Sequence, residues 1–211
     1  MVESDTKTKI IETAEKLFAE NGISGTSLRS IIADAGINLA SIHYHFGSKE
    51  ELIKAVFERR FGPINSERQR NLDNVLENDM NSPDLIEKII EAFISPIVLI
   101  KLNASVSTRI HKLFGQIHSE PDDIKTLLFG QLEEVNLKYI EAFRKALPRL
   151  SKDEIFSRFK FMIGSVGISM MPHPKHMHHP EFDTEQPDAE LTLGRLISFL
   201  KGAFNAPPVK L

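Results

Sequence analysis

Two apolar patterns too short to fold alone, separated by one glycine, constrain this chain more than any other feature. In TSLRSIIADAGINLASIHYHFGSKEEL, Leu28, Ile31, Ile32 and Ala35 recur at helical spacing and stop at Gly36. Thr26 or Ser27 is placed to cap that helix, and Ile37 plugs the turn after it. Asn38 caps a second helix, LASIHYHF, with Ile42 and Phe46 on its inner face and Gly47 as its end. Helices this short are marginal in water, so flanking helices must hold them. Ile10, Ile11, Ala14, Leu17 and Phe18 supply one before Asn21-Gly22, where Gly22 can take the left-handed conformation. Ser48-Lys49-Glu50-Glu51 reads as a capping box opening another, with Leu52, Ile53, Val56 and Phe57 facing inward.

Two helices joined by a short glycine turn form the helix-turn-helix pattern, whose second helix lies in the DNA major groove. If Ile42 and Phe46 hold that helix to the head, Ser41, His43, Tyr44 and His45 point away from it. These side chains can hold phosphates or read base edges, and Lys49 adds a cation at a helix start. Residues 1–60 carry eight Lys or Arg against nine Asp or Glu, so the head as a whole is not basic. Between residues 24 and 49, however, Asp34 alone opposes Arg29 and Lys49.

The same stretch resembles the signature of TetR-family transcriptional repressors. Thr26, Leu28, Ile31, Ala35, Gly36, Tyr44, His45, Phe46, Gly47, Lys49 and Leu52 match it in register, within residues 8–58. Ile32 replaces a small Ala, Asn38 replaces a Ser cap, and His43 replaces a Tyr. By position, the resemblance implies that Arg29 approaches a base edge or phosphate from the first of the two short helices. It places Leu39, Ala40, Ser41 and His43 over the groove floor and Thr26, Ser27, Tyr44, His45 and Lys49 at phosphates, with Asn38 on the same edge. It also implies a bacterial, cytoplasmic homodimer released from its operator by a small-molecule inducer.

Phe61-Gly62-Pro63 reads as a break, so we expect an all-α chain with a DNA-binding head over 1–58 and a ligand-binding and dimerisation body over 59–211. IIEAFISPIVLI is too short and too interrupted for a membrane span and reads as a buried core helix that Pro96 should kink. Ser82 with Pro83, Ser119 with Asp122, and Ser151 with Glu154 are start signals for further helices. Phe159, Met162, Ile163, Val166 and Met170 form one stripe, and Leu193, Leu196, Ile197, Leu200 and Phe204 another. The resemblance makes these the dimer bundle. It also implies an apolar inducer pocket, for which Phe93, Ile97, Ile100, Leu113, Phe114, Phe129 and Phe161 are candidate lining, with Arg109, His111 and His118 as polar partners.

Two rival readings belong beside this one. His173, His176, His178 and His179 lie between prolines and invite a metal-responsive regulator, but a loop has no period that would converge them on one ion, so no metal site is expected. A helical enzyme or small-molecule carrier with a structural helix-turn-helix would need a catalytic constellation. No Ser-His-Asp order, phosphate loop or HExxH is present, and the neighbouring carboxylates of Glu133-Glu134 diverge by about 100° on a helix. No enzyme activity and no cofactor are expected. The absence of cysteine excludes disulfides and thiolate metal sites. MVESDTKTK has no apolar region behind it, so no signal peptide is expected.

Overall fold

The computed structural model describes residues 2–99, 119–169 and 189–209, and these are helical or connecting turns, as the all-α reading requires. Of the described residues, 2–63 and 119–133 form one compact unit; 64–99, 134–169 and 189–209 form a second.

In the first unit, α1 (Val2–Asn21) ends at Gly22, whose φ of 77° is left-handed. After it come α2 (Leu28–Ala35), α3 (Leu39–Phe46) and the start of α4 (Lys49–Asn78). Ile10, Ala14 and Phe18 of α1 are buried with Ile31 and Ala35 of α2, Ile42 and Phe46 of α3, and Leu52, Ile53, Val56 and Phe57 of α4. Leu28 and Ile32, expected to face inward, are only half-buried, because an eight-residue helix seats one narrow stripe. A further helix, α6 (Asp122–Gly130), brings Leu128 into this core. The void lined by Phe18, Ile23, Phe57, Phe61 and Leu128 is about 10 Å³, room for one water at most.

Helix α4 does not break at Phe61-Gly62-Pro63 but runs through Pro63 for 30 residues. Proline forfeits one backbone hydrogen bond inside a helix, at a cost of about 3 kcal/mol. An uninterrupted buried stripe opposes that cost: Phe57, Phe61, Ile64, Arg68, Leu72 and Val75 are all buried at helical spacing. Phe57 and Phe61 stack at 4.1 Å. Pro63 itself is exposed.

The second unit contains α5 (Leu85–Val98), α7 (Glu133–Ala146), α8 (Lys152–Ser169) and α9 (Ala189–Asn205), with α9 packed on α5 and α8. Helix α5 starts at Leu85, two residues beyond Pro83, and Pro96 lies buried in its last turn. Ser82 therefore is not its N-cap; its Oγ accepts the Asp84 N–H within the preceding turn. At α8 the start signal holds, with Ser151 Oγ accepting the Glu154 N–H at 3.2 Å. Around the core, Phe93 meets Tyr139 and Phe159 edge-on, and Phe143 stacks on Phe204 at 4.2 Å. Arg68 is buried among them. Its Nε donates to the Phe93 carbonyl at 2.8 Å, its guanidinium lies 4.0 Å from the Phe93 ring centre, and burial lowers its pKa to about 10. Arg158 ties α8 to the end of α9: Nη1 donates to the carbonyls of Ala203, Phe204 and Ala206, and Nη2 pairs with Glu154 at 2.6 Å.

Candidate nucleic-acid interface

Ser27 caps α2, its Oγ accepting the Ser30 N–H at 3.1 Å while Ser30 Oγ accepts the Ser27 N–H. Sequence reading missed Ser30, because a serine completing a capping box departs from the usual Glu or Gln. Gly36 closes α2 at φ 60°, ψ 42°. Asn38 caps α3, its Oδ1 accepting the Ser41 N–H at 2.9 Å and the Ser41 hydroxyl at 3.0 Å. Gly47 ends α3 at φ 76°, ψ −54°, and Ser48 Oγ then accepts the Glu51 N–H. Only half of the expected capping box forms there, since the Glu51 carboxylate pairs with Lys54 at 2.7 Å.

Ile42 is fully buried and Phe46 nearly so, which pins α3 to the head by one side. The other side faces out: Leu39 is 50% exposed and Tyr44 74%, with Ala40 and His43 also exposed and Ser41 and His45 half-buried. The Tyr44 and His45 rings meet edge-on at 5.1 Å. Ser27, Arg29 and Asn38 are exposed, and Lys49 is half-buried. Thr26 departs from its expected place at a phosphate. It is 2% exposed, and its hydroxyl donates to the carbonyls of Gly22 at 2.7 Å and Leu17 at 3.2 Å, closing the α1–α2 connection.

Four of the head's acids, Glu12, Glu15, Asp34 and Glu51, are paired within it. Asp34 pairs with Lys16 at 3.3 Å, Glu12 with Arg59 at 2.6 Å, and the buried Glu15 with Arg60 at 2.7 Å. None of the described residues forms an ion pair with Arg29 or Lys49. Arg29 and Lys49 therefore stay outside the ion pairs of the described residues, with Glu50 adjoining Lys49.

The expected inducer lining is not gathered in one place. Phe93 and Ile97 are buried in the second unit's core, whereas Phe129 is exposed on α6 and Phe161 on α8. Ile100, Arg109, His111, Leu113, Phe114 and His118 lie outside the described residues. The second unit instead has an open cleft of about 320 Å³ between α4 and α5, bordered by Asn71, Asn74, Asp79, Lys88, Glu91 and Ser95. The expected dimer stripes face inward. Phe159, Met162, Val166, Leu193, Leu196, Leu200 and Phe204 are buried within the chain, Ile163 and Ile197 are half-buried, and Met170 lies outside the described residues. The outer faces of α8 and α9 carry Phe161, Ile168, Leu191 and Phe199, each at least half exposed, with open space above Gly164, Gly194 and Gly202.

His173, His176, His178 and His179 lie outside the described residues; among the described ones no group of three His, Asp or Glu is placed to hold a metal ion. Among the described residues no helix is long and apolar enough to cross a membrane.

A helix-turn-helix head with α3 turned outward, joined to helical packing elsewhere, defines a DNA-binding regulator. Residues 10–56 match the model of bacterial regulatory proteins of the tetR family, and residues 91–203 match the tetracyclin repressor-like C-terminal domain. A Staphylococcus epidermidis relative, the biofilm operon icaADBC negative transcriptional regulator IcaR, is 32% identical over 150 residues, 68% of this chain and 74% of its own. The IcaR of Staphylococcus aureus strain Newman is 28% identical over 131 residues, 62% of this chain and 63% of its own. Among solved structures, NalD, the secondary repressor of the MexAB-OprM multidrug efflux pump in Pseudomonas aeruginosa, superposes with a TM-score of 0.62 at 17% identity, covering 94% of this chain and 96% of its own. A transcriptional regulator from Aquifex aeolicus gives 0.56 at 20% identity, covering 93% and 98%. The chain belongs to the tetR family of bacterial regulatory proteins.

Proposed function

We propose that the chain is a homodimeric repressor that leaves its operator when its body binds a small molecule. The observation that carries this reading is the one-sided anchoring of α3 by Ile42 and Phe46, which leaves Leu39, Ala40, His43 and Tyr44 on a free edge. On that edge, Leu39 and Ala40 suit thymine methyls, and Ser41 and His43 suit base edges. Ser27, Arg29, Asn38, Tyr44, His45 and Lys49 surround them as phosphate or edge contacts, while Thr26 leaves the contact set because its hydroxyl is engaged inside the head. The negative regulators among the relatives support repression rather than activation.

Two-fold DNA readers place their recognition helices about 34 Å apart, one helical turn. A dimer through the outer faces of α8 and α9, around Phe161, Ile168, Leu191 and Phe199, supplies the second head and removes those apolar side chains from water. The polar cleft between α4 and α5 suits an inducer with hydrogen-bonding groups. Such a ligand acts by favouring the body shape in which the two heads no longer fit the half-sites, so that ligand and operator binding oppose one another.

Titrating the chain against duplex from its own upstream region, at several salt concentrations, tests the reading. Specific binding by a dimer is expected. Lys49→Ala should weaken all duplexes alike and flatten the salt dependence by about one counterion. Equal binding of upstream and random duplex would remove the operator claim.

A further inference from the structure

The end of α3 holds one side chain in a defined chemical form. The Gly47 N–H donates to the His43 carbonyl at 3.0 Å, and His43 Nδ1 lies 3.0 Å from the Gly47 carbonyl oxygen. A carbonyl has no proton to give, so Nδ1 must carry the hydrogen in that contact. Gly47, at φ 76° and ψ −54°, turns its carbonyl back toward the helix it has just ended, a backbone geometry disfavoured for a residue with a side chain. His43 is exposed, on the same outward edge as Leu39 and Ala40. With Nδ1 engaged, the neutral ring presents Nε2 as a lone pair and nothing else.

We propose that His43 is a specificity-determining residue whose Nε2 accepts a hydrogen bond from the exocyclic amino group of an adenine or cytosine in the major groove. This rests on the DNA-reading assignment above and adds which bases are read. Adenine N6 and cytosine N4 are the donors that edge offers; guanine N7 and O6 and thymine O4 would set lone pair against lone pair. A ring free to choose its tautomer, or the phenol that the family more often carries there, would donate as readily as accept. The Gly47 carbonyl biases that choice toward the form with the proton on Nδ1 and the lone pair on Nε2.

The experiment is selection from a randomised duplex pool at pH 8, with the full chain and with His43→Ala and His43→Phe. The parent is expected to enrich a site with one position restricted to adenine or cytosine. Both variants lose that restriction and keep the rest of the site; His43→Phe fills similar space without a ring nitrogen. Replacing the base there by its analogue lacking the amino group (purine for adenine, 2-pyrimidinone for cytosine) lowers parental affinity about three- to tenfold and leaves His43→Phe unaffected. Loss of a guanine or thymine preference, or no change at any position, overturns the inference while leaving the DNA reading intact. A parent that enriches no sequence overturns both.

Discussion

The Glu120 carboxylate accepts the backbone N–H of Ile23 at 2.7 Å, across 97 residues of chain. Its other oxygen accepts the N–H of Ser24 at 3.0 Å together with the Ser24 hydroxyl. Glu120 is 6% exposed, and a Cβ on Gly22 beside it would lie 3.2 Å from Oε1, close enough that the carboxylate would have to give by a few tenths of an ångström. The turn that launches the helix-turn-helix is therefore closed by a residue just ahead of α6. Within this unit, α1, α2 and α6 share one polar fastening.

Glu120→Ala leaves two backbone donors of the α1–α2 connection without their acceptor. A loss of roughly 2–3 kcal/mol is expected, and Glu120→Gln, which keeps one acceptor oxygen, should lose about half of that. Urea unfolding followed by circular dichroism measures both. Amide exchange at Ile23 and Ser24 should accelerate in the alanine variant before the rest of α1 is affected.

Gly36 and Gly47 both have positive φ, and a Cβ at either meets nothing within 4 Å, so alanine there tests backbone conformation alone. Gly36 lies in the left-handed helical region, where a side chain costs about 1–2 kcal/mol. Gly47, at ψ −54°, lies outside it, and Gly47→Ala should destabilise more than Gly36→Ala. Equal midpoints in thermal unfolding would show that the end of α3 relaxes freely, and the favoured His43 tautomer would go with it.

Charge can separate the α3 cap that Asn38 forms from its proposed place beside the duplex. Asn38→Ala removes the α3 cap and should cost about 1 kcal/mol. Asn38→Asp keeps an acceptor and should leave stability within a few tenths of a kcal/mol of the parent, yet it sets an anion on the proposed phosphate-facing edge. DNA affinity should then fall by about tenfold or more at low salt, and less at high salt. Unchanged affinity would place Asn38 away from the duplex.

Phe199 and Phe204 lie on one helix and predict opposite phenotypes. Phe204 is fully buried against Phe143, and Phe204→Ala should cost about 3–5 kcal/mol in unfolding. Phe199 is 65% exposed, so Phe199→Glu should barely change the unfolding of the isolated chain but dissociate the proposed dimer. Sedimentation velocity across a concentration series reads the difference. A Phe199→Glu chain that remains dimeric would exclude the outer face of α9 as the interface.

What the sequence by itself determined lies mostly within single turns and their caps. Gly22, Gly36 and Gly47, the Asn38 cap, and the Ile42–Phe46 pairing were readable because each depends on residues within about one helical turn. The buried stripe of α4 was also present as spacing through Ile64, Arg68, Leu72 and Val75, but Pro63 overruled it on local grounds. Only the tertiary structure decided that packing along that stripe outweighs one missing hydrogen bond. It decided which apolar face of α8 and α9 turns inward, since Phe159 and Phe161, or Leu200 and Phe199, are equally hydrophobic in one dimension. It also removed Thr26 from the surface and brought Glu120 to Ile23. A period along the chain defines that a face exists; which neighbour covers it is a property of three-dimensional packing, to which residues far apart in sequence contribute.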